Sequence, residues 1–502
     1  MDFLDPIKRR NHTIRLFTGY FLVAFIVLFS AIMIVYYASG FGITRSGEVV
    51  QNGLVFVSSQ PANAELYIDG ARRNNTNTKL TLPAGTYTFK IQKQGYQTWE
   101  KRVEIAGGEV DHVVYPLLIP NELVTTSLTN FDAAPTLYTQ SPDRKWIVMQ
   151  QPGQDGVFEI YDTSRNPEEI VPNVRIVTLP AGMVTASAGA ASWELIEWST
   201  NNRHMLLQRT FTVEGASQHE FILVDTQRPE GSYNLARELG ATPTELTLRD
   251  KQPTDYYLYD AETKQLRTGK LGSKEFETVA SGVLEYKSHG RDELLYVTEQ
   301  DAPNGTTNVR VRIGGKAYTV RSLAKTNAYV LDMARYEGKW YVAFGSVQDG
   351  RLYLYENPAE QIVASTESKA SPLFAMRMTG VTDLSFSATA QFIGAQNGAR
   401  FHIYDIKHSR GYSYVAPFAF DFGAKDRFAA WMDGHRFIQS SSGSARMFEY
   451  DGLNRRTLMP VSGQFEAYFD RDYENSFTLA PRSDNQPGVS LTFTPLMTEA
   501  DQ

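Results

Sequence analysis

No cysteine occurs in these 502 residues. That absence excludes disulfides, thiol catalysis, Cys-ligated zinc or iron–sulfur centres and lipid attachment through a thiol. Histidine is scarce: His12, His112, His204, His219, His289, His402, His408 and His435 are scattered, with no His-x-His and no His-Glu-x-x-His. No zinc or metalloprotease frame follows from that spacing. A Gly-x-Ser-x-Gly elbow is also missing, so no α/β-hydrolase is expected. The formal net charge is −7 and no basic stripe alternates with aromatics, which argues against nucleic acid as a partner. The 42% hydrophobic share is ordinary for a globular chain, long enough to hold together by its core alone.

Charge is absent from one stretch altogether, residues 16–38. As a helix it would reach roughly 34 Å, enough to cross a hydrocarbon core of about 30 Å. Lys8, Arg9, Arg10 and Arg15 precede it against Asp2 and Asp5, whereas Arg45 and Glu48 follow. Short flanks rich in Lys and Arg stay inside, so residues 1–15 are expected in the cytoplasm and the bulk outside. Tyr20, Tyr36 and Tyr37 sit near the ends, at headgroup level. A cleaved signal peptide is the rival, but its apolar region runs only about 7 to 15 residues. Residues 39–52 read as a short stalk.

Between residues 53 and 120 the pattern alternates in strand-length runs closed by Gly, Pro or Asn, the signature of a small β-sandwich. Tyr87, Phe89 and Ile91 fall on one face of one such run, Thr88 and Lys90 on the other. Four motifs stand in order: Pro61-Ala62-Asn63-Ala64, Leu66-Tyr67-Ile68-Asp69-Gly70, Leu82-Pro83-Ala84-Gly85 and Lys93-Gln94-Gly95-Tyr96. Together they resemble a PEGA domain. The resemblance implies a non-enzymatic extracytoplasmic β module of the cell envelope and names no ligand. Asn63 stands where the family signature has Gly, and Asn74-Asn75-Thr76 replaces its Gly-x-Thr-Pro turn. Asn tolerates left-handed backbone, so the turns are expected to survive.

Residues 121–497 repeat one unit, an apolar-alternating strand closed by an acid. Copies end at Asp162, Asp225, Asp260, Glu356, Asp405 and Asp451, with a degenerate copy at 309–313 and a last one at 489–493. A turn followed by an apolar strand precedes several copies, at Ser141-Pro142-Asp143-Arg144-Lys145-Trp146, at Ser199 and at Met432. The first resembles the turn of WD40-like (TolB-type) β-propeller repeats. The fold class is therefore mainly β: an N-terminal transmembrane helix, a PEGA-like sandwich, then a seven- or eight-bladed propeller. Two stacked β-sandwiches are the alternative. A strand near Glu122 to Ser127 is expected to complete the last blade, since closure by both ends leaves no exposed edge. The polar residues 498–502 are expected to fray.

No residue is assigned a catalytic, cofactor or metal role, and no cofactor is expected. The recurring acids read as turn formers accepting backbone N–H bonds. Asp470 to Asn475 places acids at every second residue but lacks the Gly and Glu an EF-hand loop needs. Residues 181–191, rich in Gly and Ala, read as a disordered insertion or a loop over one propeller face. The expected function is membrane-anchored binding or scaffolding at the bacterial cell envelope, gripping a protein or glycan. A propeller glycosidase or lyase is the alternative, and the channel lining separates them: paired acids favour the enzyme, a plugged channel the scaffold.

Overall fold

The computed structural model describes residues 6–38, 40–43, 49–416, 429–441, 443–463, 465–484 and 486–501. They form two compact units, residues 1–122 with 497–502, and residues 123–496.

In the first unit a helix spans Pro6–Ala38. It begins inside the stretch expected to be only a basic tail, because Lys and Arg propagate a helix well and Pro6 fits its first turn. Its apolar side chains face outward all round: Phe17 is 75% and Phe21 72% exposed. The expected stalk is partly sheet, since Phe41–Ile43 pairs antiparallel with Val49–Val57, whose Val49 and Val50 favour strand. The rest of the stalk, residues 44–48, lies outside the described residues.

Two four-stranded sheets build the sandwich. One orders Phe41–Ile43, Val49–Val57 and Thr78–Pro83, with Val110–Val113 joined in parallel to the second of these. The other orders Ala71–Asn75, Glu65–Ile68, Gly85–Gln92 and Trp99–Ile105. Val55, Leu66, Phe89, Ile91 and Trp99 fill the core between them. Phe89 and Ile91 are buried on the side the alternation assigned to them. Asn63 takes φ 61°, so it does adopt the left-handed conformation the signature glycine supplies. Residues 498–501 do not fray; Gln502 lies outside the described residues. Thr498 and Asp501 bond to Tyr96 and Lys93, which satisfies polar groups that a free end would leave to water.

The second unit is a closed ring of eight four-stranded antiparallel sheets among the described residues. Their first strands are Leu137–Gln140, Ser192–Trp198, Glu245–Leu248, Val283–His289, Tyr329–Tyr336, Asp383–Phe386, Ala430–Trp431 and Tyr468–Phe469, counted below as blades 1 to 8. In blade 8 the outermost strand is Thr126–Phe131, paired from Val489↔Phe131 to Phe493↔Thr126. The ring thus closes on a strand from the N-terminal side as expected, but one that begins at Thr126, four residues after the expected start at Glu122.

The repeat is mis-phased at one copy. Asp260 ends Asp255–Asp260, the second strand of blade 3, and the third strand there, Gln265–Lys270, ends in a base. Any doubly buried strand shows the same apolar run, so the pattern alone does not tell second from third. At three true third-strand ends, Asp162, Asp225 and Asp405, the acids do form turns, whereas Glu356 pairs with Lys339 and Tyr341. Asp162 Oδ1 accepts from Ser164 N at 3.1 Å, and Asp225 Oδ1 accepts from Gln227 N at 2.9 Å and Arg228 N at 3.0 Å. Residues 181–191 are not a disordered insertion. Met183 and Val184 pack against the core shared by blades 1 and 2, and Thr185 donates to Glu220 through N and Oγ1. Glu220 in turn pairs with Arg209, whose side chain is fully buried between it and Asp155.

The turn before the second strand recurs in blades 1, 2 and 6. Ser141, Ser199 and Ser387 accept through Oγ from the N–H of Trp146, His204 and Phe392, and a left-handed residue follows each serine: Arg144, Asn202 or Ala390. Arg144 also donates to the Met432 carbonyl at 2.8 Å and covers the Tyr473 ring at 4.2 Å. Arg144→Ala keeps the backbone strain and loses both contacts, whereas Arg144→Gly loses the contacts and relieves the strain. The glycine variant should be the more stable of the two by about 1 kcal/mol, read as the higher midpoint in thermal unfolding.

Candidate functional site

Because neighbouring first strands lie against one another around the ring, residues far apart in sequence meet at its axis. Glu197, Glu245, Glu285, Asp332 and Asp383 come one each from the first strands of blades 2 to 6. Lys287 stands among them, its Nζ 3.7 Å from Asp332 Oδ1.

Two of these acids brace neighbouring blades. Glu197 accepts from the backbone N–H of Leu248 in blade 3, and Asp332 Oδ2 accepts from Phe386 N in blade 6 at 2.8 Å. Burial holds both carboxyls above their usual range, against the pull of those N–H groups and of Lys287. Asp383 accepts from Ser385 Oγ at 2.7 Å, and burial together with the Asp332 charge raises it as well. Burial also raises Glu245. Glu285 is pushed up to about 7, first by burial and then by repulsion from Glu245. His289 is lowered by burial and meets the Trp340 ring edge-on, 5.1 Å between centroids.

A cavity of about 520 Å³ continues this surface. Asp383, Trp431, Tyr468 and Gln140 line it from the first strands of blades 6, 7, 8 and 1, joined by Arg144 and Glu466. Gln140 Nε2 donates to the Phe469 carbonyl at 2.9 Å, and Trp431 Nε1 to that of Ser385 at 3.2 Å, so the walls are tied blade to blade. Among the described residues the channel is therefore lined mainly by acids, with Lys287 and Arg144 as cations, an arrangement suited to cationic or hydroxyl-rich ligands.

Of the residues singled out in the sequence, Arg144 lines the cavity and the recurring acids lie elsewhere. Asp162, Asp225 and Asp405 serve their own turns, whereas Glu356 accepts from Lys339 and Tyr341. Asp470 accepts from Glu474 N at 2.9 Å and Asn475 Nδ2 at 2.7 Å, closing a turn on itself. Among the described residues no group of three or more His, Asp or Glu is placed to hold a metal ion. The channel acids were missed, yet a signal exists: an acid recurs in the first strand of five successive blades, at intervals of 40 to 51 residues.

One family model matches within unit 1. Residues 52–118 match the PEGA domain. This PEGA domain covers a small part of the chain, and no curated protein matches the sequence. Two solved structures are distantly similar to the chain. An oligogalacturonate lyase in complex with manganese is 10% identical over 74% of this chain and 99% of its own, with a TM-score of 0.38. Kluyveromyces marxianus Hsv2 is 10% identical over 74% of this chain and 100% of its own, with a TM-score of 0.34. At these scores the likeness concerns the fold alone.

A carboxyl raised from 4.5 to about 7 binds its proton more tightly in the folded chain than in the unfolded one. Its contribution to stability is therefore present at low pH and lost as pH rises between those values. Glu285→Gln should remove that fall: in urea unfolding, the variant should gain on wild type steadily from pH 4.5 to 7.5.

Proposed function

We propose that the chain is a membrane-anchored, extracytoplasmic binding protein of the bacterial cell envelope, with a PEGA domain next to the anchor and a propeller whose channel face takes the ligand. The observation that carries this reading is the helix from Arg10 to Tyr36, long and apolar enough to cross a membrane and with none of its apolar window buried by the rest of the chain. So large an all-round apolar surface favours burial in lipid. The ring supplies a rigid frame, and its acid-lined channel with Lys287 suits a glycan or a basic protein segment. The test is flotation with phospholipid vesicles. The full chain should float with them, and a chain without residues 6–38 should remain in the soluble fraction. Flotation of the shortened chain would place the anchor elsewhere.

One observation favours a second reading, a carbohydrate-active propeller enzyme. Glu285 and Glu245 form a pair of neighbouring acids of which Glu285 titrates at about 7, suited to general acid catalysis at neutral pH. Glycan arrays followed by assays for new reducing or unsaturated ends separate the two readings. Retention without turnover, weakened by Lys287→Glu, supports the binding protein. Turnover that falls above pH 7 and drops about 10²- to 10⁴-fold in Glu285→Gln supports the enzyme.

A further inference from the structure

One corner of the PEGA domain holds a ligand-like segment of the chain itself. Lys93 Nζ forms an ion pair with Asp501, and its own position is fixed by a bond to the Ala62 carbonyl at 3.0 Å. Tyr96 is only 5% exposed. Its hydroxyl donates to Asp501 Oδ2 at 2.9 Å and accepts from Thr498 N at 2.8 Å. Thr498 Oγ1 closes the segment on itself by donating to Asp501 Oδ2 at 3.1 Å. Gly95, at φ 84°, leaves room for the Thr498 methyl, which would sit 3.3 Å from a Cβ there.

The corner does not need the segment in order to form. Its turn is closed by Tyr96 N donating to the Lys93 carbonyl at 3.1 Å, and it is tied to the following chain by Asn121 N donating to the Gly95 carbonyl at 2.8 Å. What remains is a cation, a phenol and a glycine gap arranged around a carboxylate, a backbone N–H and a methyl group. We propose that Lys93, Gly95 and Tyr96 form a recognition site for a short acidic segment of the type Thr-x-x-Asp, filled in cis by Thr498 and Asp501. The site is independent of the channel and of the membrane reading, and its partner in trans is an acidic peptide segment that displaces the internal one.

The test uses the full chain and an amidated, fluorescein-labelled peptide copying residues 495–501. In the double variant Thr498→Val, Asp501→Asn the site is vacated, and peptide anisotropy should show binding about tenfold or more tighter than in wild type. Lys93→Met on that background should abolish it, as should Asn in place of Asp in the peptide. Amide exchange supplies the second readout: residues 93–97 should exchange faster in the double variant, while core residues 55–57 stay protected. Equal peptide binding by wild type and double variant, or no binding by the double variant with exchange at 93–97 unchanged, would overturn the proposal.

Discussion

Every blade of the ring has two apolar faces, and that constraint governs the rest. The second strand of blade 5, Lys339–Ser346, shows it residue by residue. Val342 and Phe344 belong to the core shared with blade 4, Tyr341 and Ala343 to the core shared with blade 6. Blade 3 repeats this, with Tyr256 and Leu258 turned to blade 2 and Tyr257 and Tyr259 to blade 4. Side chains alternating across a strand leave no solvent face, so an unclosed stack would expose a whole apolar layer at each end. Pairing Thr126–Phe131 with Val489–Pro495 removes both ends at once. The energetic gain comes from two buried layers and the hydrogen bonds add register, at the cost of closing a loop of nearly the whole unit.

Closure also decides where charge can gather. First strands are pressed together at the axis, and the acids on those of blades 2 to 6 become near neighbours of acids from other blades. Glu197 and Asp332 turn this to structural use, each accepting an N–H from the next blade. Glu245 and Glu285 bear burial and mutual repulsion instead, and Lys287 offsets only part of it. Retaining two such carboxyls in a ring otherwise built on apolar alternation is a local conflict of the kind found at functional sites.

The sequence was legible where short-range chemistry decides the structure. Asn63 could be read as a left-handed residue because its side chain tolerates that backbone, and Ser141 with Asp143 could be read as a turn because each satisfies N–H groups within five residues. The closing strand could be placed because an open edge is unfavourable in any ring. Illegible were features whose partners lie a blade or more away. Residues 181–191 look featureless until Glu220 is seen to hold Thr185, and residues 498–501 look solvated until Lys93 and Tyr96 are brought beside them. Blade 3 defeated the repeat because Asp260 and Lys270 exchange the expected order of acid and base between adjacent strands.

The channel acids mark the boundary between these two cases. Each was visible as a residue, and together they recur once in each of five successive blades. A turn acid and an axial acid share that period, so periodicity finds the blade and says nothing of which strand a residue occupies within it. Strand order is settled by the pairing partners, Glu245 opposite Tyr259 and Glu285 opposite Val297, and pairing is a property of the closed sheet rather than of any segment. A repeat architecture therefore announces its scaffold in the sequence while hiding its axis, where one residue from each repeat converges and no local motif is required.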